Sequence, residues 1–351
     1  MTVALLLVPS LIGTVLEPVL FLLGDRYPRR WFVCIGLLAM AAGSFVAALA
    51  PNLAVVSVAE TIAGIAAGCA VTLSQATLVD AHPDARERVM ARWVLFALAG
   101  DLVAPLLFGA LAAVGLGWRT TFAASGLLVA FASLALLGAR FPDARVEAAA
   151  DEEPGLFAGL RIALGNRRLL LWLAGCALCD LLDEILVVLA TLHMRDRGLG
   201  AQAQSVALAA FVVGGAVGVA ALERLLPRIS PLRLLAASSI ACAALYTTWV
   251  AVASASGSWA SIALFALVGA TAAPLYPLAK AEAYAALPGR SGAVNAASVL
   301  LDPFTLSLPW LLGWVADAHG TAAALALLAI QPVGLALIAG LSISSRSGRP
   351  R

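Results

Sequence analysis

Apolar residues in this chain gather in runs of about 20 or more, separated by short polar turns, and the runs lack the alternation expected of barrel strands. Eleven runs lie at roughly 3–23, 31–50, 53–79, 89–114, 118–139, 169–193, 202–222, 232–254, 258–287, 291–316 and 320–344. A helix needs about 20 apolar residues to cross a bilayer. A backbone in hydrocarbon must also satisfy its own hydrogen bonds, so each run predicts a membrane-spanning helix. The expected fold is an all-α, polytopic membrane protein of eleven helices.

Composition agrees, with 62% hydrophobic residues, 12% charged residues and a mean hydropathy of +0.98. Charge then orients the chain, because short cytoplasmic loops retain Lys and Arg. Alternate loops, starting with the turn after the first run, hold 19 of the 22 basic residues; Arg119, Arg195 and Arg197 lie on the other side. The C-terminus is therefore expected inside and Met1 outside. Met1 leads straight into a span with no basic start of the kind a signal peptide carries. Cys34, Cys69, Cys176, Cys179 and Cys242 all lie in or beside apolar runs and read as structural thiols, without the second pair a zinc site needs.

The longest polar interval contains "DARVEAAADEEPG" and divides five spans from six. It predicts a bundle over 1–139, a cytoplasmic linker over 140–168, a second bundle over 169–345 and a tail over 346–351. A weak repeat relates the halves, since "GDRYPRR" at 24–30 has a counterpart in "ERLLPR" at 223–228. Two bundles related by a pseudo-twofold repeat would hold six spans each, so one helix is expected to be missing at the front. The second, fifth, eighth and eleventh spans have no ionisable residue in their interiors, as helices facing lipid would.

The turn "FLLGDRYPRRWFVC" at 21–34 resembles the loop motif of the major facilitator superfamily of secondary transporters, and the resemblance extends over essentially the whole chain. Asp25, Arg26, Arg29 and Arg30 match that motif, while Phe21 and Pro28 occupy its two glycine positions. The resemblance implies that this turn joins the family's second and third helices and helps latch the cytoplasmic side shut. "GDLVAPLLFG" at 100–109 is similar to the signature in the fifth helix of the family's exporters, with Ala104 and Phe108 replacing glycines. Gly100, Ala104, Pro105 and Gly109 are the helix-packing positions this implies, with small residues allowing close approach and Pro105 a bend. "AETIAGIAAG" at 59–68 resembles the fourth-helix motif, but Glu60 stands where the family commonly has Arg, so that motif's proton role does not carry over. "GWRTTF" at 117–122 and "PWLLGWVAD" at 309–317 are similar to family loop and helix-end sequences.

Carboxylates within spans are the chemical candidates, because charge at bilayer depth is costly and normally faces a protein interior or an aqueous cavity. "CDLLDEILV" places Asp180, Asp183 and Glu184 near mid-span and, at 100° per residue, within an arc of about 100° on one face. Desolvation and mutual repulsion act together on acids this close, which is how a carboxylate becomes a reversible proton carrier. Asp180, nearest the midpoint, is the leading candidate; Asp101 and Asp302 are further coupling candidates, and Glu17, Glu60 and Gln75 are cavity-lining ones. Structural hydrogen bonding is the alternative reading of these acids. Lys280 and Glu282, near a span end, are expected to snorkel to the interface.

His82, His193 and His319 all lie at span ends, which excludes a Ser-His dyad at depth, and no Gly-rich phosphate loop with Lys points to ATP. The reading is therefore a transporter and not an enzyme, working without cofactor or metal. It is expected to export a small, amphipathic molecule in exchange for protons by alternating access. Its expected partners are that substrate, protons and the lipid bilayer, with no nucleic acid, and it is expected to act as a monomer in the plasma (inner) membrane. Proton-coupled uptake is the nearest alternative, with an intramembrane enzyme or a sensor behind it.

Overall fold

The computed structural model describes residues 2–139, 141, 156–253 and 258–347. Side chains are described for these residues except 2–11, 105, 112, 252, 253, 302, 304, 306 and 345–347. Most of the expected linker and the last residues of the tail lie outside this set.

Five helices precede the linker: α1 (Thr2–Arg26), α2 (Arg29–Leu49), α3 (Leu53–Ala81), α4 (Arg86–Ala113) and α5 (Trp118–Leu137). After it come the short α6 (Ala158–Gly165), α7 (Arg167–Asp180), a π-helical turn (Leu181–Ile185) and α8 (Leu186–Asp196). Next are α9 (Ala201–Leu225), α10 (Pro231–Thr248) with a π-helical turn (Trp249–Ala253), α11 (Trp259–Ala272) and α12 (Leu275–Ala286). The chain closes with α13 (Ser291–Val299), α14 (Asp302–His319), α15 (Thr321–Leu327) and α16 (Ile330–Ser347). No strand occurs among the described residues.

Every run read from the sequence is helical, and eight of the described helices or helix pairs are long and apolar enough to cross a membrane. Of the other three, α1 is continuous, whereas 167–196 and 291–319 are each made in pieces. Local chemistry explains most ends and breaks. The Asn52 side chain accepts the Val55 amide at 3.1 Å and starts α3, and Pro231 occupies the first turn of α10, where a missing N–H costs nothing. Pro274 separates α11 from α12 and Pro303 follows the break before α14, since neither can donate to the preceding turn.

The described residues form two compact units, one of 1–84, 103–166 and 287–302, the other of 85–102, 167–286 and 303–351. In the first, α2 packs on α3 and α5, while α1 packs on α3 and α13. Gly36 and Gly43 let α2 approach the α3 backbone: a Cβ on either would stand 2.9 Å from the carbonyl of Ala66 or Ala59. In the second unit, α9 packs on α11, α10 on α16 and α7 on α12. The α9–α11 seam is closer still, because a Cβ on Gly214 or Gly218 would overlap the carbonyls of Ala266 and Ala270. Beside it, Phe211 and Trp249 stack on Phe265 with ring centroids 4.9 and 4.4 Å away, and Tyr246 donates its hydroxyl to the Leu325 carbonyl at 2.7 Å.

Candidate functional site

In the first unit, polar groups from α1, α2, α3 and α13 converge on Arg29, which is buried at the start of α2. Its Nε donates to the Gly24 carbonyl at 3.0 Å and its Nη1 to Asp80 Oδ2 at 2.8 Å. Nη2 donates to Asp25 Oδ1 at 2.8 Å and to Ser291 Oγ at 2.9 Å. Ser291 Oγ in turn donates to Asp80 Oδ2 at 2.5 Å. Asp25 accepts the amides of Gly292 and Ala293, both at 2.9 Å. These are first-turn amides of α13, which have no partner within their own helix, and the helix dipole favours an anion there. Gly292 is required by this approach, since a Cβ on it would stand 2.5 Å from Asp25 Oδ1.

Of the four residues expected in the latch, Asp25 and Arg29 form this cluster. Arg30 donates to the Leu137 carbonyl at the end of α5, and Arg26 is exposed. In the second unit the counterpart acid Glu223 accepts Arg92 Nε at 2.6 Å, in a pair whose side chains are 60% (Arg92) and 28% (Glu223) exposed. The repeated motif therefore carries an ion pair in each unit, buried in the first and largely solvated in the second.

Asp183 and Glu184 lie in the π-helical turn, so the regular 100° count does not hold across "CDLLDEILV". Its wider hydrogen-bond ring frees a backbone donor, and the side chain of buried Gln331 compensates: Leu182 N donates to Gln331 Oε1 at 2.7 Å. Asp183 and Glu184 are solvent-exposed although they sit midway along the span, and among the described residues neither has a hydrogen bond or ion pair. Asp183 is also within electrostatic reach of the Cys179 and Cys242 thiols. Asp180 is only partly exposed and lies within electrostatic reach of Cys176 and Tyr276. The turn thus brings three carboxylates, Asp180, Asp183 and Glu184, together midway along one span.

The remaining candidates are dispersed. Glu17 of α1 is partly buried against α3, where a Cβ on Gly68 would stand 2.5 Å from its Oε1. Gln75 is buried in α3, and Glu60 borders a cavity of about 410 Å³ within the first unit. Asp101 is exposed on α4, and Asp302 begins α14, its side chain outside the described set. Ala104 is exposed, Gly100 and Gly109 have no heavy atom within 4 Å of a would-be Cβ, and the Pro105 side chain is also outside the set.

Lys280 and Glu282 do not snorkel. They are 5% and 4% exposed, because α12 is enclosed on nearly every side and offers no open flank to climb. Glu282 accepts Arg168 Nη2 at 2.8 Å, and Lys280 Nζ lies 5.4 Å from the Tyr284 ring centroid. Sequence reasoning also missed Asp80, Ser291 and Gln331. Asp80 had a readable signal, an acid at the inner end of a span.

The profile of the Major Facilitator Superfamily matches residues 2–302. The drug efflux pump JefA of Mycobacterium tuberculosis is 39% identical over 103 residues, 29% of this chain and 20% of that protein. The multidrug resistance protein Stp of the same organism is 34% identical over 117 residues, 32% of this chain and 22% of that protein. The alignments thus span only about a fifth of these relatives. Among solved structures, the Escherichia coli fucose:proton symporter FucP superposes with a TM-score of 0.79 at 16% identity, covering 96% of this chain and 90% of that one. The human organic anion transporter MFSD10 superposes at 0.70 with 18% identity, over 95% and 82% of the two chains. These structural likenesses speak to the fold. With its helical architecture and a profile match over most of its length, the chain belongs to the Major Facilitator Superfamily, whose members are multi-pass membrane transporters of small molecules and not enzymes.

Proposed function

We propose that this chain exports small, amphipathic molecules in exchange for protons, through alternating access in the plasma (inner) membrane with its C-terminus in the cytoplasm. The observation that carries the reading is the pair of unpartnered, solvent-exposed carboxylates, Asp183 and Glu184, on a π-helical turn midway along a span. A fixed ionised acid at that depth is costly unless water or a counter-charge reaches it, so its protonation can follow which side the water comes from. Position in the sequence favours Asp180; solvent access favours Asp183 as the carrier, with Asp180 and Glu184 tuning or relaying the proton. The similarity to two mycobacterial drug-export proteins favours the outward direction.

The Asp25–Arg29–Asp80 cluster then serves as the latch on the cytoplasmic side, joining the α1–α2 turn to the first turn of α13. The test is transport in proteoliposomes under an imposed pH gradient, with a panel of labelled amphipathic compounds. Export predicts that substrate moves against the proton flow, and co-directional movement would instead establish symport. Asp183→Asn should abolish gradient-driven transport while exchange of labelled for unlabelled substrate survives; full gradient-driven transport in that variant would sink the assignment.

A further inference from the structure

Within the second unit, three side chains join the end of α8 to the start of α15. His193 Nδ1 lies 2.9 Å from Thr321 Oγ1, and that hydroxyl donates to Asp196 Oδ2 at 3.3 Å. Gly320, at a φ of +86°, makes the turn that delivers Thr321 there, in a backbone region that glycine adopts without a side-chain clash. His193 is 2% exposed, and its Nε2 meets no hydrogen-bond partner among the described residues.

This geometry fixes the proton on the ring. A hydroxyl has one hydrogen; given to Asp196, it leaves Thr321 Oγ1 to accept from an Nδ1–H, and Nε2 is then a bare lone pair. The other neutral tautomer would bury an N–H without an acceptor and have two acceptors claim the same Thr321 hydrogen. A second proton would place that unmet N–H on a charged ring, the costliest arrangement of the three. We propose that the His193–Thr321–Asp196 chain is an acid-released clasp, holding α15 to α8 while the imidazole is neutral and freeing the first turn of α15 when the imidazole becomes a cation.

The charges around the ring leave this balance to Nε2. Asp196 and Arg197 on α8 both reach His193 electrostatically and oppose each other, and Arg195 lies 4.0 Å from Asp196. No ionisable residue occurs in α15, in α9 before Glu223 or in the π-helical turn 249–253 that packs on α15. At the end of α14, His319 sets its ring edge-on to Trp314 with centroids 6.5 Å apart, and Asp317 is exposed. Asp183 and Glu184 lie more than two helical turns back along the span. Once released, His193 takes its proton near the ordinary imidazole value of about 6.5, whereas the closed clasp resists it. The clasp is therefore at full strength above about pH 7 and weakens as pH falls below about 6.5. With the closed ring neutral throughout, a change from pH 7.5 to 5.0 raises the released population by about 30-fold. The orientation proposed above puts this end of α8 outside, so the clasp responds to the outer medium, separately from any proton carried at Asp183.

Amide hydrogen exchange on the purified full chain in maltoside micelles tests the clasp, with rates corrected for the intrinsic effect of pH. Between pH 7.5 and 5.0, amides at the start of α15 should quicken by about 10- to 30-fold relative to those of the α9–α11 seam. His193→Gln, which cannot take the charge, should change by less than about twofold, Asp196→Asn should keep the acid response, and Thr321→Val should exchange fast at both pH values. Imidazole ¹⁵N NMR at pH 7.5, with His193 assigned by its loss in His193→Gln, should place the proton on Nδ1. An acid response that survives in His193→Gln or vanishes in Asp196→Asn would overturn the proposal, as would parent-like protection of α15 in Thr321→Val or a proton on Nε2. Where a variant does not fold, the parent decides alone: His193, followed as the ring resonance that is neither of the two exposed histidines, must gain its charge over the same pH range in which α15 loosens, and charging without loosening refutes the clasp.

Discussion

Replacing Asp25 by Asn removes one charge and one acceptor oxygen from the group that ties α1 to α13. The carboxylate accepts two first-turn amides and one guanidinium N–H, and Asn offers a single neutral oxygen for all three. Hydrogen bonds to a charged group contribute about 1.5–3 kcal/mol each against about 0.5–1.5 for neutral ones, so this exchange forfeits about 2–4 kcal/mol. The charge–dipole attraction at the α13 terminus falls within the same range. Against this, the Asp25 side chain is only 19% exposed, and relief from desolvation returns about 1 kcal/mol. The net loss is about 1–3 kcal/mol, or roughly 5- to 140-fold in the population that lets go.

Hydrogen exchange reads this directly. In Asp25→Asn, amides at the start of α13 should exchange about 5- to 140-fold faster than in the parent, while those in the α9–α11 seam are unchanged. Glu223→Gln is the control, because its pair with Arg92 is largely solvated, and such pairs contribute about 0–1 kcal/mol; exchange near the end of α9 should barely move. If α13 protection in Asp25→Asn stayed within twofold of the parent, the charge would contribute nothing to the junction. The arginines of the turn would then be signals of orientation only.

Three further outcomes follow from the geometry. Gln331→Leu leaves the Leu182 amide buried without its acceptor, a loss of about 1–3 kcal/mol that should lower the thermal midpoint of the purified protein; an unchanged midpoint would mean the π-helical turn is held by its neighbours. Gly218→Val drives a side chain into the Ala270 carbonyl, so α9 and α11 must separate, and little folded protein should survive detergent extraction, whereas Ala at the exposed Gly100 should extract normally. Glu282→Gln should cost about 1–3 kcal/mol, since the arginine it leaves behind is half-exposed and stays solvated; denaturant titration alongside Arg168→Gln and the double variant measures the coupling, and an unchanged midpoint in Glu282→Gln would mean the pair contributes nothing.

The helices were legible because length and hydropathy are written into each segment separately: 53–79 reads as a span whatever surrounds it, and α3 covers it with two residues to spare. The breaks were less legible. Pro274 marks its own by lacking an N–H, but nothing in "LLDEI" announces a π-helical turn. That turn persists beside a glutamine nearly 150 residues away that meets the freed amide, which is a property of packing and not of the segment.

The same distinction governs the polar cluster. Asp25 and Arg29 could be picked out because they sit in one short turn with a familiar spacing, and i,i+4 neighbours meet on a helix. Their other partners, Asp80 and Ser291, come from helices that share no pattern with that turn. Ser291 and Gly292 matter largely for their backbone and small size, which leave no trace in charge or hydropathy. Lys280 and Glu282 were misplaced for a related reason. Snorkelling is a rule about distance from a span end, and it fails when the helix is enclosed by protein, because a side chain then has no lipid to travel along. Buried charge in a bundle is set by the helices around it, so a linear reading can rank such residues by rarity and depth but cannot pair them. The pairing is what separates Asp80, already committed to Arg29 and Ser291, from Asp183 and Glu60, which have no hydrogen bond or ion pair among the described residues.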